Sequence, residues 1–506
     1  MSGVTGLFRG ASVSYMHPRG QPFCHNPAAG GGRGPVRWEG QVKALRPLVM
    51  SGKEVLPLVE GGKGIAVSNG ESSGAWAAAG GIGTFSGVNA DTYDEDGRPV
   101  PQIYHGRTRR ERHDELVAFG IQGGIAQARI AHEMSNGQGR IHMNVLWEMG
   151  GAERILHGVL EGSKGLIHGV TCGAGMPYRI AEIAVHYGVH YYPIVSSARA
   201  FRALWLRAYS KFPEFLGGVV YEDPWLAGGH NGLSNSEDPL KPEDPYPRVA
   251  ALRTMMNSFG LTEVPIVMAG GVWWISEWEH FLDNPEIGPI AFQFGTRPLL
   301  TQESPISTAW KQKLLTLKAG DVYLNRFSPT GFYSSAVRNP FLEELRGRSE
   351  RQVAYAVEPV GEHTDEFLIG PRGRPVYLTP HDKEHAQGWV SQGFTTALKT
   401  PDNTLIFVTP EKSREILKDQ VDCMGCLSAC AFSNWAQNEE GTTGRKADPR
   451  SFCIQKTLQN ISHSEDVEHQ LMFAGHNAYR FANDPWYADG FVPTVKQLVD
   501  RIQTGF

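Results

Sequence analysis

Of the 18 histidines in this chain, His230 is the one placed for chemistry. It ends the run Ala227-Gly228-Gly229-His230 and is followed by Asn231-Gly232, just after an apolar stretch, Gly217–Glu222, that reads as a strand. An arbitrary histidine is more often a surface or packed residue than a catalyst. One presented by glycines at the end of a strand is placed to exchange a proton, and an imidazole with a pKa near 6.5 does so at neutral pH. A second group is made of thiols: Cys423-x2-Cys426-x3-Cys430, with Cys453 further on. Six cysteines in 506 residues make no disulfide scaffold. Four of them crowded together in a reducing compartment point to a metal. Cys24 and Cys172 are too isolated to serve as ligands.

The third group is glycine. Pairs or triplets follow one apolar run after another: Gly61-Gly62-Lys63-Gly64, Gly173-Ala174-Gly175, Gly228-Gly229, Gly270-Gly271 and Gly295-Thr296, with Asn144 inside a further run. Backbone free of Cβ atoms can approach a flat ring or a phosphate closely. Any one pair is weak evidence, since loops contain glycine anyway. The ordered series is much stronger.

The elements that must position these groups are short apolar runs alternating with amphipathic stretches, the pattern of βα units on a parallel sheet. The predicted strands are 55–60, 82–86, 141–147, 166–172, 190–196, 217–222, 265–269 and 290–294. Predicted helices include 109–134, 151–161, 177–187, 198–210 and 246–259. Eight strands with helices between them predict a (β/α)₈ TIM barrel, an α/β fold, with a doubly wound open sheet as the alternative. In a barrel the glycine loops and His230 gather on the rim at the C-terminal ends of the strands, and the last two loops stand where barrels hold a phosphate.

The chain divides accordingly. Residues 1–50, rich in Gly, Pro and Arg, read as an N-terminal arm lying over the body, and 51–305 as the cofactor-binding barrel. Residues 306–420 read as an inserted or lid α+β region, helical over 306–350 and with strand-like pieces at 375–378 and 404–408. Residues 421–506 carry the cysteines and a return helix at 494–502. The whole is a barrel with a C-terminal α+β/helical extension bearing a cysteine cluster.

Bulk properties narrow the function. A net charge of −5, from 48 basic and 53 acidic residues spread along the chain, leaves no footprint for nucleic acid or an anionic membrane. No apolar run approaches the roughly 20 residues of a membrane span, and Met1–Gly20 lacks the apolar core of a signal peptide. A cytoplasmic enzyme is expected, acting on a small molecule or a carrier-bound substrate. A homodimer is compatible with all of this.

Residues 55–305 resemble nitronate monooxygenases (2-nitropropane dioxygenases) and their relatives, the flavin-type enoyl-ACP reductases and acyl-ACP dehydrogenase/isomerases. The resemblance is carried by Pro57–Gly62, Ala77–Thr84, Gly173-Ala174-Gly175-Met176-Pro177, Ala227–Gly232, Met268–Gly271, Phe294–Arg297 and Thr301–Ser304. It implies FMN, with Gly61, Gly62 and Lys63 beside the isoalloxazine and Gly270, Gly271, Gly295 and Thr296 on the phosphate. It also implies that His230 is the base that takes an acidic C–H proton while the flavin takes the electrons. No strand–GxGxxG–helix unit for an ADP moiety opposes this. The sequence departs from the family at Leu226, where an acidic residue is usual, and at Cys172, which replaces a residue that is often hydroxylic.

The cysteine spacing is similar to the [4Fe–4S] segments of iron–sulfur flavoenzymes. A structural Cys₄ zinc site is the alternative, and four thiols without metal the bland reading. The acyl-ACP dehydrogenase/isomerase branch resembles this chain in the cysteine site and in Gly475-His476-Asn477-Ala478-Tyr479-Arg480. Oxidation of an acyl thioester is therefore the leading expectation. Alkyl nitronate oxidation, enoyl-ACP reduction and a non-catalytic redox sensor are the others. His476 reads either as a second acid/base or as a packed helix-end residue. Arg107–Arg112 reads as a docking patch for an acidic carrier or as a solvated helix start.

Overall fold

The computed structural model describes residues 43–505; the arm before residue 43, with Cys24, lies outside the described residues. Eight parallel strands close into a barrel: β1 Leu58–Glu60, β2 Ile82–Ser86, β3 Arg140–Leu146, β4 Gly169–Gly173, β5 His190–Val195, β6 Val219–Glu222, β7 Ile266–Ala269 and β8 Ile290–Phe294. They pair in chain order, with β8 back on β1 through Phe292–Phe294 against Leu58–Glu60. Most are short and apolar, as in Ile266–Ala269 and Ile290–Phe294, and polar residues such as Thr84, His142 and Asn144 are buried within the others, in keeping with strands covered on both faces.

The helices alternating with these strands are α1 Gly70–Ala78, α2 Arg109–Ser135, α3 Ala152–Gly162, α4 Ile180–His186, α5 Ala198–Arg207 and α6 Pro245–Ser258. Helix α2 begins with a capping box between Thr108 and Glu111 and ends at Asn136 in the left-handed region. Helix α1 was not predicted, because Gly-Glu-Ser-Ser-Gly is poor helix sequence. Packing sustains it: side chains at Gly70 and Gly74 would overlap α2, and one at Gly83 of β2 would overlap the Ser73 carbonyl.

The barrel floor is plugged by a hairpin, Leu48–Met50 with Lys53–Val55, whose Met50 and Val55 join the inward-facing Val59, Tyr192, Val220 and Val267. Ser51, at its turn, bonds His142 Nε2 at 2.9 Å and Tyr192 Oη at 2.8 Å. The last residues assigned to the arm are thus a stopper for the barrel.

After β8 the chain leaves the barrel and returns only at its end. Val495–Thr504, capped by Thr494 and Gln497, packs on α1 and fills the place of the barrel's last helix. Everything between is inserted in the final βα unit. Residues 306–350 are not simply helical. Helices Thr308–Leu314 and Pro340–Glu350 flank two strands, Val322–Asn325 and Ser334–Val337, which pair with each other, the second also pairing with Gly229–His230 of the rim. Residues 352–421 hold strands Gln352–Ala354, Thr396–Lys399 and Thr404–Val408, a hairpin, Asp365–Ile369 with Arg374–Leu378, and a small core of Val353, Val376, Leu378, Leu405 and Phe407. Helices Pro380–Ser391 and Pro410–Val421 complete this part; each starts at a Thr-Pro pair whose threonine caps it.

Candidate active site

A cavity of about 730 Å³ opens at the C-terminal ends of the strands. Its wall includes Gly61, Gly62 and Lys63 after β1, Asn144 of β3, Gly173 of β4, and Gly228, Gly229 and His230 after β6. Gly270 and Gly271 after β7 and Gly295 and Thr296 after β8 complete the set. The volume lies in the range of small-molecule and cofactor sites.

The glycines are used for close approach. A Cβ on Gly62 would overlap Asn144, and one on Gly61 would stand 3.0 Å from Gln293. Gly270 and Gly271 turn the chain with φ of 91° and 77°, which side chains disfavour. Lys63 is tied down: its ammonium lies 2.6 Å from Glu60 Oε1, which also accepts from Ser72 Oγ at 2.6 Å. Glu60 is wholly buried.

His230 belongs to the two-residue strand Gly229–His230, held by Ser334 and Ser335. Its Nε2 lies 2.6 Å from Ser328 Oγ, which contacts Thr330 Oγ1 at 2.8 Å. The Phe473 ring stands edge-on to the imidazole at 5.2 Å. Burial holds the His230 pKa down to about 4, so the ring is neutral at neutral pH. Sequence reasoning missed Ser328 and Thr330, which lie far along the chain in a loop between two unpredicted strands. It also missed Glu222, which ends β6 and faces the cavity.

The extension closes over the rim. Gly475 N donates to Thr296 Oγ1 at 2.9 Å and Asn477 Nδ2 to the Gly271 carbonyl at 2.7 Å. His476, between them, is half-buried with its Nε2 3.1 Å from Ser335 Oγ and is absent from the cavity wall, in keeping with a packed residue. Leu226, where the family places an acid, packs against Gly271.

The cysteine segment lies on the same rim. Gly150 N donates to the Cys426 carbonyl at 2.9 Å, Leu427 bridges Met149, and Cys426 lines the cavity. Cys423 accepts from Ser433 Oγ at 3.1 Å, and Cys453 precedes helix Ile454–His463. Burial pushes the Cys426 thiol up, and Cys453, Cys430 and Cys423 add to the push, so the four sulfurs share one neighbourhood. Among the described residues, no three His, Cys, Asp or Glu side chains stand in metal-holding geometry. Cys172 is buried in β4, its thiol raised by burial alone.

The arginines of Arg107–Arg112 have a use that neither expectation anticipated. Arg109 donates to the Gln420 carbonyl at 2.7 Å, and Arg112 to those of Val421 and Cys423 at 2.9 and 3.1 Å. Arg110 reaches the Asn438 carbonyl and covers the Trp435 ring. They clasp the cysteine segment onto α2.

No described helix is long and apolar enough to cross a membrane. The model of the family described as nitronate monooxygenase matches residues 152–502, well over half of the chain. Probable nitronate monooxygenases of Staphylococcus aureus strains MSSA476 and JH9 are each 24% identical over 36% of this chain and 46% of their own length. The chain thus spans about half the length of the curated relatives it matches. Among solved structures, the enoyl reductase domain of MlnA from the macrolactin biosynthesis cluster of Bacillus amyloliquefaciens aligns over 88% of this chain and 93% of its own, at 12% identity and a TM-score of 0.50. FabK from Thermotoga maritima aligns over 88% and 91%, at 14% identity and a TM-score of 0.45. The family match, over a closed eight-stranded barrel with its glycine loops on one rim, shows that this chain belongs to the nitronate monooxygenase family.

Proposed function

We propose that the protein is an FMN-dependent oxidoreductase in which His230 takes an acidic α-proton from an acyl thioester and a [4Fe–4S] cluster is held beside the flavin by Cys423, Cys426, Cys430 and Cys453. One observation carries the reading: a single cavity gathers His230, every glycine loop and Cys426. FMN fits the residues present. Gly61–Lys63 offer bare backbone for the ring, and Gly270, Gly271, Gly295 and Thr296 offer amides for the phosphate. When bound, FMN supplies the acceptor for the two electrons that leave the substrate carbon.

The chain's part is the proton. A base needs a free lone pair, and His230 Nε2 is engaged with Ser328. If Nε2 carries the hydrogen and Ser328 accepts it, Nδ1 is left basic; the opposite tautomer leaves no free lone pair. The reading therefore requires Nε2–H donating to Ser328, with the Ser328 hydroxyl passed on to Thr330. The substrate's apolar part is matched by Met149, Met176, Leu204, Leu427, Ile454 and Leu458 in the cavity wall. The cluster is supported by donor type and place: four thiols crowd one neighbourhood, and one of them reaches the cavity wall. Structural zinc is the competing occupant.

Anaerobic mixing of the holoprotein with short and long acyl thioesters, alkyl nitronates and NAD(P)H tests the reading through the flavin absorbance. Bleaching by acyl thioesters supports it. Bleaching by nitronates alone replaces the substrate class, and bleaching by NAD(P)H alone points to reduction of an enoyl group.

A further inference from the structure

Helix Pro380–Ser391 contributes no residue to the wall of the rim cavity. It carries the sequence His381-Asp382-Lys383-Glu384-His385, for which neither the flavin chemistry nor the cysteine segment has a use. Residues four apart share a helix face, and two histidines so spaced can bind one ion together. The two rings lie side by side, with centroids 4.3 Å apart. Both residues are exposed, and neither makes a hydrogen bond or ion pair with the described residues.

The helix gives them a firm base. Thr379 caps its start, accepting from Asp382 N at 3.1 Å. Ala386 is buried, and the Trp389 ring packs on Phe407 of the small core at 5.4 Å. Lys383 is engaged by Asp365 at 3.4 Å. Glu384, exposed and without an ion pair among the described residues, follows His381 by one turn and brings negative charge to that side. Gly388, one turn beyond His385, sets no side chain over the pair, and nothing lies within 4 Å of the place a Cβ would take there.

We propose that His381 and His385 form a bidentate surface site for one divalent late transition-metal ion (nickel, copper or zinc), with water in the remaining positions. Imidazole suits these ions, whereas magnesium and calcium prefer oxygen. An ion held at about 2.0–2.1 Å by each ring needs the two nitrogens about 3 Å apart. Rings already in contact reach that by turning within their exposed side chains. The helix is docked before any ion arrives, so little ordering is left to oppose binding. A glutamate within this spacing serves catalysis where the metal sits in a cleft; on an open helix face the arrangement is one for binding.

The experiment is retention of the untagged full-length protein on an immobilised nickel matrix, eluted with imidazole. Wild type is compared with His381→Ala, His385→Ala, the double variant, and His469→Ala as a control at an exposed histidine outside this helix. All of them keep the four cysteines, so any metal bound there is common to the series. Two ligands on one ion gain about 10²-fold or more over either alone. Each single variant should therefore elute well before wild type, the double variant with the singles, and His469→Ala with wild type. Equilibrium dialysis against nickel chloride should count one ion fewer per chain in either single variant, and thermal melting without added nickel confirms that all are folded. Elution of either single variant with wild type, or an unchanged nickel count, would overturn the proposal. So would losses that add in the double variant, or an equal loss in His469→Ala, since either would make these histidines separate surface contacts.

Discussion

The barrel and the insertion that interrupts its last βα unit meet around one cavity and build it by different means. The barrel contributes chiefly backbone: Gly61, Gly62, Gly173, Gly228, Gly229, Gly270, Gly271 and Gly295 line the cavity with no side chain. The insertion contributes chiefly side chains and their contacts: Ser328 on His230, Asn477 on the Gly271 carbonyl, and the cysteines beside Met149. Backbone on a closed sheet is fixed by the sheet. Side chains on inserted strands are fixed only where they dock. Cofactor binding should therefore track the barrel, and the proton and redox chemistry should track the insertion.

The largest effect separates the two most clearly. His230→Ala should keep FMN, which the glycine loops hold, while slowing substrate-driven flavin bleaching by about 10²–10⁴-fold. Because burial holds His230 down to about 4, the wild-type rate should rise through pH 4 and then level off, as the ring must be neutral to accept a proton. A variant that loses flavin, or bleaches at the wild-type rate, would break the division.

Next come the cysteines. If they hold a [4Fe–4S] cluster, anaerobically purified protein should carry about four irons per chain. Serine at Cys423, Cys426, Cys430 or Cys453 should abolish that and loosen the extension, while the same change at Cys172 spares the iron. FMN content should survive all of them. Zinc in place of iron would make the segment purely structural.

Gly228 lies on the seam. A Cβ there would stand 2.5 Å from the Ala474 carbonyl carbon, backbone against backbone. Gly228→Ala should therefore cost about 1–3 kcal/mol, read as a lower melting temperature and easier proteolysis of residues 473–480. An unchanged melting temperature would mean that the extension is not seated on this loop.

The same contrast explains what the sequence revealed. The barrel strands are short, largely apolar runs at regular spacing, and each rim glycine answers a local demand on the backbone, so both were legible. Helix α1 was not, because its glycines are chosen for contact with α2 and not for helix propensity. Ser334–Val337 was hidden because Ser-Ser-Ala-Val is a short, half-polar run, held between Val322–Asn325 on one side and the two-residue strand Gly229–His230 on the other. Arg107–Arg112 read as a free basic patch because nothing local announces the carbonyls of 420–438 that it binds. The thiols were legible as a group, since their spacing is itself local.

The smallest expected effect is the sharpest test of the insertion's role. Ser328 is buried, and its hydroxyl lies 2.6 Å from His230 Nε2. Ser328→Ala removes the acceptor that selects the Nε2–H tautomer. A net hydrogen bond is worth about 0.5–1.5 kcal/mol, so kcat should fall roughly two- to tenfold. KM and FMN content should hold, because neither depends on the tautomer. Ser328→Thr, which keeps the hydroxyl, should restore most of the loss, whereas a merely structural role would be indifferent to that hydroxyl and would show in the melting temperature. The pH profile adds a second readout. With the acceptor gone, the charged ring loses its hydrogen bond at Nε2, and the low-pH limb should move further below pH 4. Unchanged kcat with an unchanged limb would show that the insertion packs against His230 without tuning it, and the base would then belong to the barrel alone.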